Sequence, residues 1–167
     1  AARMRAFREA VPTTPHVAIL DDARALDQNV APSTVDLIIT SPPYAGAQKY
    51  IRSSSLSLGW LDFAYEGELR SLERKTIGRE HFASSEIGTL SGCGIRDADH
   101  LLKKIGRTNP LRAHIALAYL MEMDQSLRAM HSILRPNGNL VLVTGPNTVC
   151  GLHFDTPSYL HQLAIAI

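Results

Sequence analysis

The stretch DLIITSPPYAG, Asp36 to Gly46, decides how this chain is read. Its first half, with Val35 added, is a short run of apolar and β-branched residues ending at Thr40. Near-continuous hydrophobicity over so few residues predicts a strand buried on both faces, as in a parallel sheet flanked by helices; a buried helix has the same periodicity, but the length favours a strand. The run leads into two consecutive prolines. Each fixes φ and removes a backbone N–H, and the residue before a proline is kept out of the helical region, so Ser41 and Pro42 are both held extended. Open parallel sheets bind ligands just beyond the carboxyl ends of their strands. A stiff turn at that place offers carbonyl oxygens without local donors, and the Ser41 hydroxyl adds a further acceptor.

The flanking segments supply the rest of an α/β pattern. Upstream, residues 3–10 are compatible with a helix, VPTTP breaks that pattern, and HVAIL (His16 to Leu20) reads as a first strand. Asp21 and Asp22 end it, and a short polar helical piece follows. Downstream, Ile51, Leu58 and Leu61 recur near helical spacing between Tyr50 and Phe63, and residues 62–110 form a polar, charged, mostly helical insertion with loops. Asn109 followed by Pro110 is a strong helix start: the Asn side chain accepts from free N–H groups and proline fits the first turn. In the long helix that follows, Leu120, Met123, Leu127, Met130 and Leu134 form one apolar stripe, and core packing suffices to explain the methionines. A Pro-Asn-Gly turn then precedes a strand from Leu140 to Thr144, and a short helical tail ends the chain. The whole, residues 1–167, reads as one domain.

Composition narrows the classes. The 167 residues are 45% hydrophobic and 20% charged, with a net charge of +1, as in an ordinary globular protein. No apolar run approaches the roughly 20 residues needed to cross a bilayer and the start lacks a signal-peptide core, so the expectation is a cytoplasmic protein with no membrane role. The net charge neither supports nor excludes nucleic acid, because a DNA-gripping enzyme can confine its positive surface to one cleft. Cys93 and Cys150 stand far apart and are expected to be reduced thiols. The seven histidines show no paired ligand spacing, and no metal is expected.

The acceptor turn fits a particular substrate. The exocyclic amino group of a nucleobase is a poor nucleophile because its lone pair is delocalised into the ring. Hydrogen bonds accepted from both of its N–H groups favour a more tetrahedral nitrogen, able to attack a methyl sulfonium. Tyr44 supplies a flat face for an extruded base, a contact worth roughly 1–3 kcal/mol per base in single-strand binders. TSPPY after a hydrophobic strand resembles motif IV of the amino-group DNA methyltransferases, which methylate cytosine N4 or adenine N6 with S-adenosyl-L-methionine. In that family the motif is Asp, Asn or Ser, then Pro-Pro and an aromatic residue, and Ser in first place leans towards cytosine N4. LDDARAL (Leu20 to Leu26) resembles the family's acidic turn after the third strand, YIRSSSLSLGWL the helix after the catalytic loop, LERKTIGRE an insertion of one bacterial subgroup, and LRPNGNLVLVTGPNTVCG a later strand and loop.

The resemblance, spread over most of residues 16–160, implies a partial Rossmann-like methyltransferase sheet with a mostly helical insertion. It implies Ser41, Pro42, Pro43 and Tyr44 as catalytic residues, Asp22, Ala23 and Thr40 at the cofactor, and Tyr44 and Asn147 at the target base. S-adenosyl-L-methionine would be the cofactor, double-stranded DNA with a flipped base the partner, and a restriction endonuclease a further partner in the same system. No glycine-rich cofactor loop of the DPFxGxGT kind is present, nor the acidic strand end that follows it. The two strands missing from the family's fold would lie between His16–Leu20 and Val35–Thr40. The native protein is therefore expected to continue upstream, with a permuted order as the alternative. Related NPPY loops methylate RNA bases or a protein glutamine, and a non-catalytic nucleic-acid-binding remnant is the rival from another class.

Plainer readings stand beside these. A Pro-rich surface turn accounts for SPPY in isolation, and an N-cap or turn acid for Asp22. SGCGIRD, with no strand before it and no clear helix after it, reads as a loop rather than a phosphate cradle. Arg70, Arg74, Lys75 and Arg79 are interleaved with glutamates, as on a solvated helix face, with contact to DNA as the alternative. A tight turn needs Gly145 and Pro146 whatever Asn147 does.

Overall fold

A computed structural model describes residues 16–46, 50–65, 67–88 and 91–167; the helix-compatible segment at residues 3–10 lies outside them. The described chain is α/β. Strand β1 (Val35–Thr40) pairs in parallel with β2 (Leu134–Leu142), and a short antiparallel hairpin, β3 (Asn147–Val149) and β4 (Leu152–Phe154), follows. Between the parallel strands run four helices: α1 (Tyr50–Trp60), α2 (Leu69–Lys75), α3 (Arg96–Gly106) and α4 (Pro110–Ile133). Helix α5 (Thr156–Ile165) closes the chain.

Helix α4 is the organising element. Asn109 caps it as its sequence requires, with Oδ1 accepting from the Arg112 N–H at 3.0 Å, and Pro110 occupies the first turn. Leu120, Met123 and Leu127 are fully buried along its apolar stripe, and Ile105 of α3, Phe154 of β4 and Leu160 of α5 join them in the core. Such burial contributes roughly 1.5–3 kcal/mol for each large aliphatic side chain.

The end of α4 also sets the position of β1. The Ser33 and Thr34 amides donate to the Ser132 and Ile133 carbonyls at 3.1 and 2.9 Å, and Val35 then pairs with Leu134. The register jumps from Val35↔Leu134 to Leu37↔Asn139. The Pro-Asn-Gly turn is thus a bulge inside β2 rather than a connection before it, with Asn137 at φ 65°.

Two expectations about strands are corrected. His16–Leu20 is not a strand: these residues form no regular element and are exposed, Val17 at 79% and Leu20 at 102%. A β-branched run becomes a strand only where another strand pairs with it, and the strand pairings among the described residues join Val35–Thr40 to Leu134–Leu142 and Asn147–Val149 to Leu152–Phe154, not residues 16–20. Nor is β1 buried on both faces. Ile38, Thr40, Leu140 and Leu142 turn towards the helices, whereas Leu37, Ile39, Val141 and Val143 remain exposed on the other face. Helices cover only one side of the sheet among the described residues. A third correction concerns SGCGIRD: helix α3 opens within it, at Arg96, and the Cys93 amide donates to Asp99 Oδ1 at 2.7 Å.

Candidate active site

The proline turn begins where the parallel ladder ends. The Thr40 carbonyl accepts from the Val143 amide at 2.9 Å, and the Ser41 hydroxyl donates to the Val143 carbonyl at 3.0 Å. Ser41 therefore acts first as a tie to the strand beside it, and its oxygen lone pairs stay free to accept. Pro42 is buried and Pro43 half-buried. Neither proline has an N–H to give, and among the described residues no donor reaches the Ser41 or Pro42 carbonyl. Two adjacent acceptors thus stand unpaired on a segment fixed at its start by the sheet.

The far side of the turn is fixed by side chains from two other elements, α1 and β3, and by the close approach of Gly78. The Tyr44 amide donates to the Tyr50 hydroxyl at 3.1 Å, at the first residue of α1. The Tyr44 carbonyl lies against Gly78, where an added Cβ would come within 2.9 Å of it. Gly78, at φ +75°, is needed there for both reasons. The Tyr44 ring is half-buried and its hydroxyl reaches the turn after β2, 3.4 Å from where a Cβ on Gly145 would sit. Next, Ala45 is buried and its carbonyl accepts from Asn147 Nδ2 at 3.2 Å; the Thr156 hydroxyl in turn donates to Asn147 Oδ1 at 3.2 Å. Asn147 bridges the turn to the first residue of α5, with both ends of its amide engaged.

Asp22 lies in a separate arrangement. Its carboxylate receives the Arg24 guanidinium at 2.6 to 3.2 Å and the Arg24 amide at 2.9 Å. The hydrogen bond from the Arg24 side chain holds the Asp22 carboxyl below its ordinary value, against a smaller opposing effect of burial. Arg24 also donates to Glu122 of α4 at 3.2 Å and to the Lys75 carbonyl at 2.8 Å, while Glu122 Oε2 accepts from the Gly78 amide at 3.3 Å. Burial raises the Glu122 carboxyl, and these partners offset it in part. The chain Asp22, Arg24, Glu122, Gly78 ends behind Tyr44, but no hydrogen bond among the described residues joins Asp22 to Ser41–Tyr44 directly. Ala23 is half-buried in the same turn, and Thr40 half-buried at the end of β1.

The structure thus gathers Ser41, Pro42, Pro43, Tyr44 and Asn147 at one end of the sheet. Tyr50, Gly78, Arg24, Glu122 and Thr156 were not singled out as site residues from the sequence. Only Gly78 carries a local signal, as an isolated glycine in a charged segment. Both cysteines are free, and burial pushes the Cys93 thiol up to about 11, which keeps it protonated and unreactive. Comparisons with protein-family models, curated proteins and solved structures give no match to this chain.

Proposed function

We propose that the chain carries the amino-acceptor loop of a methyltransferase that uses S-adenosyl-L-methionine to methylate an exocyclic amino group of a flipped base in DNA, cytosine N4 first and adenine N6 second, on a partial Rossmann-like sheet. One observation carries this reading: the unpaired Ser41 and Pro42 carbonyls on a turn held at both ends. An NH₂ group has two donors, one for each of these two oxygens.

In this mechanism the Ser41 and Pro42 carbonyls each accept one N–H of the amino group, the Ser41 hydroxyl oxygen sharing one of the two, and hold its nitrogen lone pair out of the base plane. Pro43 keeps the turn from yielding, and Tyr44 stacks on the extruded base. The bound cofactor would supply an electrophilic methyl carbon, whose bond to sulfur would break as the bond to nitrogen forms, leaving a neutral thioether, while the methylated amino group would give up one proton to solvent. Attack by a positioned nitrogen needs no protein nucleophile, in keeping with the protonated Cys93 thiol.

The residues fit that cofactor only in part. Asp22 remains 43% exposed beside Arg24, and a carboxylate offers about four acceptor sites, so it can take one more donor such as an adenine amino group. No strand among the described residues is followed by a glycine-rich turn that would receive the methionine half. That second observation favours the non-catalytic nucleic-acid-binding reading as the alternative.

Transfer of tritium from methyl-labelled S-adenosyl-L-methionine tests the proposal, with DNA, RNA and a glutamine-containing peptide as competing acceptors. Labelled N4-methylcytosine or N6-methyladenine in the DNA digest is expected, with Pro42→Ala lowering kcat by about 10²-fold through misplacement of the acceptors. Label confined to RNA or to the peptide would reassign the substrate. No transfer and no thermal shift with the cofactor would leave the binding remnant.

A further inference from the structure

A cavity of about 660 Å³ lies behind the proline turn, between α1, α2 and the segment that follows α2. It falls within the 300–1,000 Å³ typical of ligand sites. Tyr50 and Gly78 line it, and these are the residues that hold the Tyr44 amide and carbonyl from behind. The cavity and the turn therefore share a wall.

Its charge is divided unequally. Each lining carboxylate is engaged within the protein: Glu73 with His81 at 2.5 Å, Glu80 with Arg112 at 3.7 Å, and Glu86 with Arg79 at 2.8 Å and the Ala83 amide at 2.7 Å. The arginines Arg52, Arg70 and Arg74 also line it and make no ion pair within 4.0 Å among the described residues, although the charge of Arg74 reaches Glu86 and helps to lower its carboxyl. Arg70 and Arg74 stand one turn apart on α2, with Cβ atoms roughly 6 Å from each other, and Arg52 projects from α1. Positive charge is thus spread over two helices. Phe82 adds an aromatic ring, fixed by the Arg79 guanidinium at 3.8 Å from its centroid and by the edge of His114. Unpaired guanidinium groups are suited to phosphate oxygens, and aromatic rings to bases.

We propose that this cleft grips the sugar–phosphate backbone of the nucleic-acid strand whose base enters the Ser41–Tyr44 turn. The destination of the base rests on the methyl-acceptor reading; the grip on phosphate does not. It also accounts for a nucleic-acid partner in a chain with a net charge of only +1, since the positive surface is confined to one cleft.

The test is fluorescence anisotropy with a short fluorescein-labelled single strand of mixed sequence, without methyl donor, over roughly 50–200 mM salt. Each arginine on a phosphate contributes a slope of about 0.7 to log K against log salt on a single strand. The triple variant Arg52→Gln/Arg70→Gln/Arg74→Gln should lower that slope by about 2 and weaken binding at low salt by at least about tenfold. Arg128→Gln, on the exposed Arg128–Asp124 pair of α4, should change neither. All four side chains are exposed, and unchanged melting verifies the fold. A wild-type chain that does not bind the strand, a triple variant that binds like wild type, or full competition by pyrophosphate at matched phosphate concentration would overturn the cleft. Methyl transfer by wild type with unaltered binding by the triple variant overturns the cleft alone. Arginine-dependent binding without methyl transfer to any acceptor overturns the catalytic reading alone.

Discussion

The Asn147 side-chain amide donates to the Ala45 carbonyl at 3.2 Å, across 102 residues of sequence. The bond fixes the far end of the proline turn to the β3–β4 hairpin, and through Thr156 to α5. Asn147, the residue expected at the target base, thus has both ends of its side-chain amide engaged within the protein.

Asn147→Ala should therefore destabilise the fold by about 1–3 kcal/mol, since it leaves the buried Ala45 segment without its donor. Asn147→Asp should be worse, because a carboxylate cannot donate to a carbonyl and would repel it. Urea denaturation of the two variants checks the order; an aspartate variant as stable as wild type would refute the bridge.

Gly78→Ala meets two obstacles. The backbone lies at φ +75° and the new Cβ would sit 2.9 Å from the Tyr44 carbonyl. A loss of about 1–3 kcal/mol is expected, and relief of the clash would move the carbonyl side of Tyr44. Thermal melting together with Tyr44 solvent accessibility by ultraviolet difference spectroscopy measures both.

Asp22 and Glu122 predict opposite pH dependences around Arg24. The Arg24 hydrogen bond lowers Asp22 below its ordinary 3.8, so its stabilisation is present above that pH and is lost as pH falls through the folded value. With Asp22 43% exposed, it contributes under about 1 kcal/mol. Burial raises Glu122 above 4.5, so its ionisation reduces stability as pH rises from 4.5 through the folded value, and the deficit persists above. Glu122→Gln should be at least as stable as wild type at neutral pH and should converge with it below about 4.5. Denaturation curves across the acid range would contradict this if the variant were the less stable at pH 7.

Tyr119 is fully buried, and its hydroxyl has no hydrogen-bond partner among the described residues. Burial, and then the nearby Tyr50 and Tyr44, hold its ionisation well above the usual phenol range. Tyr119→Phe removes an unsatisfied polar atom without changing shape, so the variant should be as stable as wild type or more stable by up to about 2 kcal/mol. A clear fall in melting temperature would reveal a partner for the hydroxyl.

Local rules alone determined several features of this protein. Five apolar and β-branched residues around Asp36 sufficed for β1, Asn109-Pro110 for the start of α4, and the stripe from Leu120 to Met130 for its buried face, because capping and periodicity act within a few residues. Two consecutive prolines were enough to show that the turn after β1 is stiff and short of donors. Tertiary structure decided the rest. HVAIL has the composition of a strand but is paired with no strand among the described residues, and a ladder needs two strands. The outer face of β1 looked buried because the sequence cannot state how many layers cover a sheet. The grip on Tyr44 by Tyr50 and Gly78, the engagement of Asn147, and the ion pairs that Glu80 and Glu86 make with Arg112 and Arg79 rather than with Arg52, Arg70 or Arg74 all join residues that are not neighbours in the sequence. Which charge meets which is set by packing, and packing is where the sequence stops being legible one segment at a time.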